Sequence, residues 1–231
     1  MRGAVAVVCL LLALSGCSKD FVAEYGDAKA LGSALEAAAN REKTVRITIP
    51  SRPGYESMVS SGAARLEQPG PALQIEVGNG QETWKVLVRG EHTYLSRPPS
   101  RLWREIGPKS TGKSDQAIAA VTGGFGSLDP RVLAADLGAG KLIESAQDGD
   151  TTRYRVQVTP TGSGFGVSET VLSMLPDRAF PVDVWVGAGG RLVRFDAHID
   201  DRSGKSSRAT YSDWGQAVDV AAPTPAEIET P

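Results

Sequence analysis

Cysteine is almost missing from this chain. Of 231 residues only Cys9 and Cys17 carry a thiol, and both fall within the first 17. Everything after them has no disulfide and no thiolate ligand, so it must be stabilised by its core alone. Histidine is as scarce: His92 and His198 are the only two, and neither has a partner at metal-ligand spacing, so no zinc site follows. Charge of one sign is missing too. The 25 basic residues face 27 acidic ones, a formal charge of −2, with no basic stripe for nucleic acid and no cationic run for a peripheral membrane surface. The apolar run Ala4 to Leu14 falls well short of the ~20 residues that a membrane span needs. No serine lies in a G-x-S-x-G elbow, and no internal repeat is present. No catalytic residue, metal site or cofactor emerges from the sequence.

What is there begins at the N-terminus. Met1-Arg2, a short apolar core and small residues before a cysteine make a secretory signal. Its end, Leu14-Ser15-Gly16-Cys17, resembles the lipobox of bacterial lipoproteins. That resemblance implies cleavage after residue 16 and a diacylglyceryl group on Cys17, which would anchor the chain to the extracytoplasmic face of the cell membrane. Residues 1–16 are then a signal peptide, 17–222 one domain of ordinary size, and 223–231 a Pro-rich flexible tail ordered only at its start. Without Arg2 the charge becomes −3.

The first segment after the signal, Ala23 to Asn40, is rich in Ala, Leu and Glu, with Ala28, Leu31, Leu35 and Ala38 on one stripe. The period then changes to two. Val45, Ile47 and Ile49 alternate with polar residues; so do Leu73, Ile75 and Val77, and Trp84, Val86 and Val88. Pro69-Gly70-Pro71, Gly78-Asn79-Gly80 and Arg89-Gly90-Glu91 punctuate these runs as turns, which makes them antiparallel hairpins. Asp115–Val121 and Pro130–Leu137 read as short helices, the second with Asp129 as N-cap, Pro130 at its first position and Gly138 past its end. Strands return at 141–146, 153–158, 182–186, 192–199 and 206–212, with Val193, Phe195, Ala197 and Ile199 on one face. The predicted fold is α+β: a large curved antiparallel sheet of about ten strands, a half-barrel, with one N-terminal helix and a few short helices over its concave face. A sheet that size must curl or be covered.

At this point the residues resemble a known family, the LppX/LprG-type lipoproteins of actinobacteria, which share the LolA-like half-barrel. The matching pieces are the lipobox at Cys17, the helix DAKALGSALEAA, the segment His92-Thr93-Tyr94-Leu95 followed by Leu102-Trp103-Arg104-Glu105-Ile106, and above all a C-terminal block. That block runs Pro181-Val182-Asp183-Val184-Trp185-Val186, then Gly190-Arg191-Leu192-Val193-Arg194-Phe195, then Tyr211-Ser212-Asp213-Trp214-Gly215. The chain departs from the pattern in the Gly-rich stretch Thr159–Gly166. The resemblance implies a hydrophobic cavity between sheet and helices that carries lipid acyl chains. Its expected lining is Leu31, Leu35, Val45, Ile47, Ile49, Leu73, Ile75, Val77, Trp84, Val86, Val88, Val193 and Phe195, with the helix stripe facing the sheet across a gap.

One motif points elsewhere. Gly107-Pro108-Lys109-Ser110-Thr111-Gly112-Lys113-Ser114 matches the phosphate-binding loop G-x-x-x-x-G-K-[ST]. The strand ahead of such a loop lies in a parallel sheet buried on both faces, whereas Leu102–Ile106 carries two adjacent charges, and no apolar strand ending in Asp follows to hold magnesium. No nucleotide partner is expected. Asp148-Gly149-Asp150 and Asp200-Asp201 are turn residues, Gly162–Gly166 reads as a mobile loop or cavity lid, and tryptophans 84, 103, 185 and 214 suit a sheet core or rim. The sequence thus predicts a non-enzymatic, membrane-anchored binder of an apolar ligand. Its rivals are an envelope interaction protein with a filled core and, more distantly, an extracytoplasmic hydrolase.

Overall fold

A computed structural model describes residues 25–50, 59–66, 72–78, 82–90, 92–100, 102–106, 112, 116, 118, 122, 124–174, 179–200, 205–221 and 223–229. Helix α1 (Ala28–Glu42) starts where Asp27 caps it: its side chain accepts the Ala30 N–H at 2.7 Å. It stops at Lys43, whose left-handed backbone (φ 65°) sends its N–H back to the Ala39 carbonyl. The apolar stripe of α1 is buried: Leu31, Leu35, Ala38 and Ala39 are at most 1% exposed.

Eleven strands form one antiparallel sheet. They are β1 (Thr44–Ile49), β2 (Val59–Arg65), β3 (Ala72–Gly78), β4 (Thr83–Arg89), β5 (His92–Ser96), β6 (Arg104–Ile106), β7 (Lys141–Asp148), β8 (Thr151–Val158), β9 (Phe180–Val186), β10 (Leu192–Asp200) and β11 (Lys205–Ser212). The spatial order is β6-β5-β4-β3-β2-β1-β11-β10-β9-β8-β7, so the first and last strands meet mid-sheet and β6 and β7 are open edges. Helix α2 (Pro130–Gly138), with Asp129 accepting the Arg131 N–H, joins β6 to β7, and the short helix α3 (Glu169–Leu172) joins β8 to β9. Of the helix expected at Asp115–Val121, Gln116 and Ile118 are described, and both are helical.

The strand pairing sorts the side chains into two faces. On the helix-covered face Ile47 stands opposite Tyr211, Ile75 opposite Val86, and Val86 opposite Leu95. Across the other half of the same face Val184 stands opposite Tyr154 and Phe195. The alternation read from the sequence places Val45, Ile47, Leu73, Ile75 and Phe195 there, all buried. Val193 is a correction. The β9–β10 register shifts between Leu192 and Arg194, so Leu192 enters the core and Val193 is left half-exposed.

Strand β2 carries no apolar alternation. Its sequence, VSSGAAR, is built from small residues because Gly62 sits where the neighbouring backbone closes in: a Cβ there would meet the Gln74 carbonyl oxygen at 2.1 Å. The stretch Gly162–Gly166, expected as a mobile loop or lid, instead drives Phe165 into the core. Phe165 is fully buried, edge-on to Phe180 and Phe195 at 5.9 and 5.5 Å, and held by the Ser207 hydroxyl donating to its carbonyl.

The tail expected to be ordered only at its start is held as far as Glu229. After β11 the chain crosses the outer face of the sheet, where Val218 and Val220 pack with Ala72, Leu87, Ala63, Tyr94 and Trp103 in a second, smaller core. It ends beside β6, where the Trp103 N–H donates to Glu227 O and the Glu229 N–H to Trp103 O, both at 2.7 Å. A capping box between Thr224 and Glu227 fixes the turn before it.

Candidate functional site

The helix-covered face has two unequal halves. Over β7–β11 and β1 it is filled. Leu31 and Leu35 of α1, Leu133 and Leu137 of α2, and Phe165 form one packed cluster with Val45, Ile47, Ile75, Tyr154, Val182, Val184, Phe195 and Tyr211. The predicted gap between the α1 stripe and the sheet is therefore not found among the described residues. Leu31, Leu35, Val45, Ile47, Leu73, Ile75 and Phe195, expected to line a cavity, are core residues instead, because two helices and an inserted phenylalanine occupy the space.

Over β3–β6 the face is less completely covered. Val86, Leu95 and Ile106 are buried, but Trp84, Val88, Ile118 and Phe125 around them are only partly so. Ile49 and Val77 are likewise half-buried, and Val88 and Phe125 touch both clusters, so the apolar surface is continuous from one half to the other. Of the predicted lining, this half keeps Val77, Trp84, Val86 and Val88 on β3 and β4, and Ile49 of β1 stands in the same row as Val77 and Trp84, across Ser60 of β2. Leu95, Ile106 and Phe125 join them. The sequence held a signal for the first two in the His92–Leu95 and Leu102–Ile106 segments, but none for Phe125, which lies in a short 3-10 turn, Phe125–Leu128.

Polar groups gather at one end of this half. The Trp84 indole N–H donates to Glu82 at 3.2 Å, and the Arg97 guanidinium lies over the Trp84 ring, 4.8 Å from its centroid. Arg104 pairs with Leu95 across β5–β6, on the same face as Ile106.

Elsewhere the ionic groups are structural. On the outer face Arg155 donates to both oxygens of Asp183, and His198 lies 2.9 Å from the same carboxylate. Burial works to raise the Asp183 pKa, but these hydrogen bonds and charges outweigh it and hold the carboxyl below the usual range. Asp196 is held low in the same way, against its burial, by Arg194 and Arg208. No serine hydroxyl hydrogen-bonds to His198 among the described residues. His92 pairs with Glu105 at 2.7 Å on the exposed outer face. A surface cleft of about 600 Å³ lies between the start of α1, the end of α2 and β7. Among the described residues, no three His, Cys, Asp or Glu side chains gather to hold a metal, and no helix is long and apolar enough to cross a membrane. Cys17 lies outside the described residues, as does nearly all of the phosphate-loop lookalike Gly107–Ser114.

A family model described as LppX_LprAFG lipoprotein matches residues 67–220, two thirds of the chain and all of it from β3 to Val220 of the outer core. The chain belongs to the LppX/LprAFG lipoprotein family. It is thus a member of a family of non-enzymatic lipoproteins. Among solved structures, a LolA superfamily protein, NE2245 from Nitrosomonas europaea, is similar at 13% identity over 87% of this chain and 97% of that one, with a TM-score of 0.35. No match is found among the curated proteins.

Proposed function

We propose that this family member binds lipid acyl chains on the β3–β6 half of its helix-covered face and shuttles them while anchored through a lipidated Cys17 to the extracytoplasmic face of the cell membrane. One observation carries the reading: Ile49, Val77 and Trp84, in one row that crosses β1, β2, β3 and β4, stay only half-buried beside a core that is otherwise filled. An apolar row at the margin of a core is a surface that acyl chains can extend over. The driving force is apolar burial, at ~0.8 kcal/mol per methylene, so about twelve methylenes give ~10 kcal/mol gross before immobilisation costs. No catalytic group is needed.

A second reading has support of its own. The α1 stripe is packed, with no gap beneath it, as an envelope interaction protein with a filled core would have it. Native mass spectrometry and organic extraction of the purified protein separate the two: co-purifying lipid supports the carrier, and a protein that carries none under any loading condition supports the interaction protein. The anchor is tested by metabolic labelling with a palmitate analogue. Cys17→Ala removes the thiol that forms the thioether, so equal labelling of the variant would refute lipidation at this position.

A further inference from the structure

Among the described residues, the inner face of the β3–β6 half carries arginine and no acidic strand residue. On its inner face the described strand positions are Leu73, Ile75 and Val77 of β3; Trp84, Val86 and Val88 of β4; Thr93 and Leu95 of β5; and Arg104 and Ile106 of β6. Lys85 pairs with Ser96, which puts Arg97 opposite Trp84; Arg104 stands one row further in, beside Leu95 and Val86. Arg97 marks the end where Val77 and Trp84 are half-buried.

Arg97 lies over the indole of Trp84. Its guanidinium carbon lies 4.8 Å from the ring centroid, and among the described residues no carboxylate lies within ion-pair distance of it. The nearby Glu82 is engaged with the Trp84 indole N–H. A guanidinium over an indole face, with no carboxylate upon it, has its edge donors available to an oxyanion. That edge is the fork that matches two oxygens of a phosphate or carboxylate.

Resting on the acyl-chain reading above, we propose that the amphiphile held on this face carries an anionic headgroup. The anion sits on the outward edge of Arg97, above Trp84, and the chains run from Trp84 over the half-buried Val77 toward Ile49. The headgroup chemistry is an oxyanion, from either a phospholipid or a free fatty acid.

The test uses the full-length protein held in an amphipathic polymer. It is titrated with phosphatidylglycerol, with the fatty acid of the same chain length, and with diacylglycerol of the same chains. One charge-assisted fork corresponds to about a tenfold preference or more for an anionic probe over diacylglycerol. Whichever anionic probe shows it identifies the source. Arg97→Gln is expected to collapse that ratio about tenfold. Lys85→Gln removes a cation that faces the opposite side of the sheet and pairs with Glu76, and is expected to leave the ratio within twofold. The proposal is overturned if the wild type binds diacylglycerol as tightly as both anions, if Arg97→Gln leaves the ratio unchanged, or if Lys85→Gln lowers it as much. Binding of none of the three probes overturns the acyl-chain reading itself, and the headgroup site with it.

Discussion

Gly32 of α1 stands directly against the backbone of α2 at Ala134: a Cβ built on Gly32 would lie 2.5 Å from the Ala134 carbonyl oxygen and 2.7 Å from the Gly138 Cα. The two helices can close over the sheet only because that position has no side chain. Glycine inside a helix ordinarily costs about 1 kcal/mol against alanine, so a simple propensity argument expects Gly32→Ala to stabilise. The structure reverses the sign. The methyl cannot fit without separating two backbones, and the loss should be about 1–3 kcal/mol net. Urea denaturation of the variant decides it, and an increase in midpoint would mean the helices are not this close.

Asp136 of α2 has an oxygen that is buried without a hydrogen-bond partner, and burial pushes its pKa from 3.8 up to about 6. The neutral form suits the folded state. The stability associated with that proton is therefore complete below pH 3.8 and lost as pH rises through about 6. Asp136→Asn should make the protein more stable at pH 8 by about 1 kcal/mol, a figure discounted because the residue is only half-buried and solvent screens it. At pH 4 the difference should vanish. A variant equally stabilised at both pH values would show that the effect is not the charge.

The C-terminal crossing makes a separate claim on stability. Val220 is 3% exposed and covers Ala72 and Leu87 on the outer face. Val220→Ser should cost about 1.5–3 kcal/mol, the value of a buried valine side chain, and should speed amide exchange in β3 and β4. A loose tail would make the same change nearly silent, within about 0.5 kcal/mol.

The parts of this fold that were legible in the sequence are those in which local pattern and tertiary packing agree. Strands β1, β3 and β4 alternate, α1 has a stripe and a clean cap, and α2 has Asp129-Pro130 at its start. The LppX/LprAFG family was visible in the ordered pieces of the C-terminal block. Strand β2 was hidden because close backbone approach demands small residues there, and these carry no periodic signal. The bulge that swaps Val193 for Leu192 was hidden because a one-residue shift in register leaves no mark on composition. Phe165 was hidden by its glycines, which suggested mobility but serve a tight turn at a phenylalanine with φ +53°. The candidate site was half legible. Its strand residues follow from alternation, while the filling of the other half by α2 and Phe165 arises from residues far apart in the chain, and Arg97 reaches Trp84 only through the register of the β4–β5 hairpin.

Val86 is where the two functional readings meet. It lies between Ile75 and Leu95 on adjacent strands and is 1% exposed, in a small cluster whose outer members are only partly buried. If acyl chains occupy that margin, Val86→Trp places an indole where the ligand would lie. The protein should then keep its denaturation midpoint, losing less than about 1 kcal/mol, and should extract with markedly less lipid than the wild type. If the margin is closed by the protein's own side chains, the same indole overpacks the cluster and should cost about 1–3 kcal/mol, with no lipid in either preparation. Denaturation and lipid extraction on the same two samples therefore give opposite pairs of results. A variant that loses stability while retaining all of its lipid would place the ligand away from Val86 and refute the β3–β6 face as its site.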